Sequence, residues 1–127
     1  MRKTKPCDRA DAAARLAIAE NFIEAAGLPE ILSEGRNIYR ANARVANDVQ
    51  AGIAAADAIC CTELKEHSWG GSHATAIDLI RKVAHDGAEL AKALGALLAL
   101  KTDASYGSAP TQADKATRAQ RAAEKLV

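Results

Sequence analysis

The chain has 127 residues, enough for one domain that buries a single hydrophobic core without staples. Lysine and arginine number 17 against 16 aspartates and glutamates, and neither sign gathers in one half, so nothing demands a chain-wide polyanion-binding surface. Hydrophobic residues make up 49% of the chain and aromatic ones only 3%, so alanine carries much of the apolar content, which favours closely packed helices over sheets.

The opening MRKTKP is basic, but no apolar segment follows it as a signal peptide would require. No apolar run is long enough to span a bilayer. Three cysteines, an odd number with two adjacent, suit a reducing cytosol better than a disulfide framework. The expected location is therefore cytoplasmic, without a membrane partner.

Residues 1–7 read as a flexible N-terminus and 8–127 as one helical domain with no strand. The first helix begins near Asp8, with Asp11 in its first turn and Leu16, Ala19, Ile23 and Ala26 at helical spacing. Gly27, Leu28 and Pro29 supply the expected stop. The longest helix follows over roughly 37–66. Its apolar stripe is Ile38, Val45, Val49, Ile53, Ala56, Cys60 and Leu64, while Arg40, Arg44 and Asp48 step down another face.

Gly70 and Gly71 break that helix, and Ser72 is a fair N-cap for a third one carrying Ile77, Ile80 and Ala84. Asp86 and Glu89 have the spacing of a capping box before a fourth, lined by Leu90, Leu94, Leu97 and Leu98. Residues 107–110 end it. Thr111 and Asp114 then open a fifth, with Ala116, Ala119, Ala123 and Leu126 on one side. The fold class expected is all-α, an antiparallel bundle of four to five helices.

Residues 54–79 hold two cysteines, two histidines and several carboxylates, which raises the question of a metal or catalytic centre. Structural zinc sites space their cysteines by two to four residues. Adjacent residues on a helix point about 100° apart. Cys60 and Cys61 are therefore poorly placed to share an ion, and no metal or cofactor is expected. Both lie near a helix C-terminus, where the macrodipole disfavours a thiolate nucleophile. Trp69 reads as a lid over the end of the bundle, and His67 as a solvated residue at a helix end.

Asp57 lies on the buried stripe of the long helix, where an ionised carboxylate must be paired or hydrogen-bonded. Lys101 falls on the apolar face shared with Leu94 and Leu97, His73 precedes Ile77 by one turn, and Tyr106 ends the fourth helix. These four polar side chains interrupt apolar stripes and read as one binding pocket, with Asp57 and Lys101 as its charged pair. A satisfied network that fixes helix register is the structural alternative.

The order DAIC (57–60), GGSH (70–73) and LLALKTDASYG (97–107), followed by a short helix ending in LV, resembles the HEPN superfamily. The resemblance covers roughly residues 10–127 and is to the small stand-alone bacterial members. It implies a bundle of four to five helices, often a homodimer. Its members include ribonucleases, nucleotide-binding partners of nucleotidyltransferase-fold proteins in toxin–antitoxin pairs, and proteins without known activity. The ribonuclease members carry an arginine followed after four to six residues by a histidine. That spacing is absent here: Arg81 precedes His85 by four positions only. Asp57, His73, Lys101 and Tyr106 are the positions that match the family pattern.

The expectation is a non-catalytic nucleotide- or small-ligand-binding or protein-interaction module. The enzymatic alternative is a divergent ribonuclease using His73 or His85 as base, with Arg81 or Lys101 as the phosphate clamp.

Overall fold

A computed structural model describes residues 4–32, 40–68, 73–106 and 113–127. It contains five helices, α1 (Arg9–Leu32), α2 (Arg40–Leu64), α3 (His73–Arg81), α4 (Gly87–Tyr106) and α5 (Ala113–Leu126). Two short strands, β1 (Thr4–Pro6) and β2 (Glu66–Ser68), form an antiparallel ribbon. The architecture is an all-α bundle, and no helix among the described residues is long and apolar enough to cross a membrane.

The bundle is organised around α2. One side of it packs on α1; α4 and α5 cover the other, and α3 packs chiefly on α4. The packing of α1 is almost wholly on α2. Val45, Val49, Ile80, Leu94 and Leu97 are the largest apolar side chains with essentially no exposure, and they sit among many alanines. Small residues let the helices approach closely. At Gly52 an added Cβ would overlap Leu97 Cδ1 and stand 3.3 Å from Leu126 Cδ1, so α4 and α5 close directly over the α2 backbone.

Most of the periodic stripes fall where helical spacing puts them. Val45, Val49, Ala56 and Cys60 on α2 are buried, with Ile53 and Leu64 half-buried. Leu94 and Leu97 on α4 and Ala119, Ala123 and Leu126 on α5 are likewise buried. Ala84, by contrast, lies exposed in the turn after α3. Ile38, Trp69, Ser72 and Thr111 lie outside the described residues.

The N-terminus departs most from expectation. Residues 4–6 are a strand, not a frayed end: Thr4 stands opposite Ser68 and Pro6 opposite Glu66, and the Cys7 amide donates to the Lys65 carbonyl at 3.0 Å. Strands of three residues are too short to leave a periodic signal. Asp8 then starts α1 through reciprocal bonds, the Asp11 amide to Asp8 Oδ1 at 2.9 Å and the Asp8 amide to Asp11 Oδ2 at 3.0 Å. Those bonds, the Asp11 amide first, hold the Asp8 carboxyl below its usual range.

Cys7 and Cys61 are joined by a disulfide, with Cα atoms 5.4 Å apart, which corrects the expectation of three reduced cysteines. The bond closes the end of the α1–α2 hairpin opposite its connecting segment. Cysteine pairing depends on this three-dimensional approach, and the 54-residue separation gives no hint of it.

The stop at Gly27–Pro29 is also overridden, since α1 continues to Leu32. Proline fixes φ near the helical value, but inside a helix it removes one amide bond and its ring crowds the carbonyl four residues earlier. Contact with α2, in which Ala26 is buried, favours the continuing helix over that local signal. At the start of α4 the expected capping box is replaced. Asp86 turns the chain at φ 60° with its carboxylate 3.2 Å from His85 Nε2, and Glu89 reaches Lys125 at 2.9 Å.

Candidate functional site

Asp57 is carried by the penultimate turns of α2, with its side chain 13% exposed. Burial pushes its carboxyl above the ordinary 3.8, against the opposing pull of His67 and Arg15. The Arg15 guanidinium on α1 is its ion-pair partner among the described residues, at 3.9 Å. The expected pairing of Asp57 with Lys101 is therefore replaced. Helix α1 delivers the countercharge, and α4 sends its lysine elsewhere.

That lysine meets His73, the first residue of α3, with Nζ 3.3 Å from Nε2. An ammonium can only donate, so this geometry requires Nε2 to carry the lone pair and the ring proton to sit on Nδ1. His73 and Asp57 line a common cavity of about 170 Å³. Its apolar walls are Ile53, Ala56, Ala76, Leu94 and Leu98, and Ser68 of β2 completes the polar side. Three of the four expected site residues thus adjoin one cavity, Lys101 through its contact with His73. The Tyr106 side chain lies outside the described residues.

Arg81 and His85 stand apart from this corner. Arg81 ends α3, about 12 Å along the helix from His73. It is exposed and bonded to Asp78 at 3.2 Å. His85 is almost fully exposed beside Asp86.

Several buried polar groups were not legible as such. His67, expected in water, is only 7% exposed because β2 packs on α2 and α3. Its Nδ1 lies 2.8 Å from the Ser68 carbonyl, so that nitrogen bears the proton. Asp48, expected on a face of α2 other than the apolar stripe, is 1% exposed, with Arg44 Nε 3.9 Å away. Asn42, six residues before it, is also buried. Periodicity identifies a face of α2 but not the neighbours that cover it.

Cys60 is a free, buried thiol pushed up to about 12, first by burial and then by the negative charges of Asp57 and Glu66. It is unsuited to nucleophilic work. With Cys61 in a disulfide, the stretch 54–79 loses one zinc donor, and the described residues hold no group of three or more potential metal ligands.

A larger groove, about 450 Å³, opens between α1, α2 and the end of α5. Its walls are mostly alanine and aliphatic side chains, with Arg9, Thr62 and Glu63 as their polar members. No family model, curated protein or solved structure matches the chain.

Proposed function

We propose that this chain is a non-catalytic, HEPN-like binding module that receives an anionic group, such as the phosphate of a nucleotide, at the start of α3. The observation that carries the reading is the 3.3 Å approach of Lys101 Nζ to His73 Nε2. A lysine and an imidazole converge at a helix N-terminus, where the macrodipole also favours negative charge. An anion that enters between them accepts from the ammonium and favours a second proton on the imidazole. Asp57, inside the cavity, is placed to accept from a donor on the same ligand.

The size of the cavity limits what it holds. About 170 Å³ lies well below the roughly 300–1,000 Å³ of ordinary ligand pockets. A nucleotide would seat its phosphate or another small part there and leave the rest outside. In the resemblance stated above, such a module is a homodimer and pairs with a nucleotidyltransferase-fold protein of a toxin–antitoxin system. In an oxidising setting the Cys7–Cys61 bond and the strand pairing together hold the N-terminal arm, whereas a reducing cytoplasm would leave the strand pairing alone.

Calorimetric titration with AMP, adenosine and inorganic phosphate tests the proposal. AMP and phosphate should bind and adenosine should not, and Lys101→Met should weaken AMP binding by about tenfold or more, the loss of roughly 1.4 kcal/mol. Equal behaviour of AMP and adenosine would falsify it.

The same contact favours one form of the enzymatic reading. Of the ribonuclease candidates, His73 and Lys101 alone are a base and a cation in contact among the described residues. That reading requires RNA cleavage by the wild type and its loss in His73→Ala. RNA left intact by the wild-type protein rejects it.

A further inference from the structure

Helix α1 packs on α2 through Ala12, Ala19, Ile23 and Ala26 and leaves apolar residues facing outward, Leu16 at 40% and Ile18 at 41% exposure. One exposed flank has a particular order. Arg9, Ala13, Leu16 and Glu20 follow at spacings of four, three and four residues and form a single seam along the helix. The first three of them form one wall of the 450 Å³ groove, opposite Ile59 of α2 and Leu126 of α5. Arg9 and Glu20 have no ion-pair partner among the described residues.

We infer that this seam is the contact surface of a homodimer in which α1 pairs antiparallel with α1 of a second copy. This supplies the surface for the homodimer of the preceding reading. In a two-fold contact, a residue i that meets j implies that j meets i. When two such seams run antiparallel in one register, Arg9 meets Glu20 of the second copy and Ala13 meets Leu16, and both pairings recur on the other side of the axis. Each large side chain faces a small one, and each charge faces its opposite. A parallel arrangement sets Arg9 against Arg9 and Glu20 against Glu20, so charge selects the antiparallel orientation. The adjoining groove admits the Leu16 side chain of the second copy. A surface of this modest extent fits a concentration-dependent dimer better than an obligate one.

Sedimentation equilibrium over a range of concentrations tests the assignment, with circular dichroism melts to verify folding. Wild type should rise from the 13.3 kDa of one chain towards twice that mass. Arg9→Glu and Glu20→Arg should each remain monomeric, and the double exchange Arg9→Glu/Glu20→Arg should dimerise again. All positions in the exchange are exposed, so the variants should fold. A dimer indifferent to both single exchanges overturns the seam while leaving a homodimer in place. A wild type monomeric at every concentration overturns both. Failure of the double exchange to restore association overturns the register.

Discussion

Lys101 Nζ stands 3.3 Å from His73 Nε2 although 28 residues separate the two in sequence. The contact lies at the surface, away from the Arg15–Asp57 pair. Lys101→Met should therefore change stability by no more than about 0.5 kcal/mol. Had Lys101 been the buried partner of Asp57, the loss would be several kcal/mol. Thermal melts of the variant separate the two cases.

Asp57 gives a pH-dependent prediction. Burial raises its carboxyl above 3.8 in the folded state, so the folded protein holds that proton more tightly than the unfolded chain. Its contribution therefore favours folding at low pH and declines as pH rises above about 3.8 and through the raised value. Asp57→Asn should melt higher than wild type at neutral pH, and the gain should shrink as acid protonates the wild-type carboxylate. The same variant should bind ligand less well, a stability gain at the expense of function. A variant less stable than wild type at neutral pH would show that the Arg15 pair outweighs burial.

The disulfide spans 54 residues. On the loop-entropy account its removal costs about 4 kcal/mol. Cys61→Ser should lower the urea midpoint accordingly, and reduced wild type should approach the same value. Because α1 packs almost wholly on α2, hydrogen exchange in the first turns of α1 should rise most.

Gly52→Ala sets two effects against each other. Alanine gains about 1 kcal/mol of helix propensity, while overpacking a closed core costs about 1–3 kcal/mol. The neighbour that must yield, Leu97, has no exposed surface. The net result should be a destabilisation of about 1 kcal/mol, read from chemical denaturation.

The long-range parts of this fold were the least legible in the sequence. Leu94 and Leu97, or Ala119 and Ala123, repeat at helical spacing, and burial follows from that spacing. The site residues were visible as polar interruptions of apolar stripes, but which of them meet depends on the lateral and axial placement of whole helices. Asp57 consequently met Arg15 of α1 rather than Lys101. Asp48 sat on a polar face of α2 that another helix covers, and the Cys7–Cys61 link joins positions that no local pattern relates. At Pro29 a strong local signal lost to packing on α2.

Nitrogen-detected NMR of the His73 ring during addition of inorganic phosphate addresses the anion site most directly. Without phosphate, Nε2 should show the signature of a lone pair accepting from Lys101. Saturating phosphate should move it towards a protonated nitrogen, and Lys101→Met should abolish the change at the same concentrations. A ring that titrates identically with and without phosphate, in wild type and variant alike, would contradict an anion site at the start of α3.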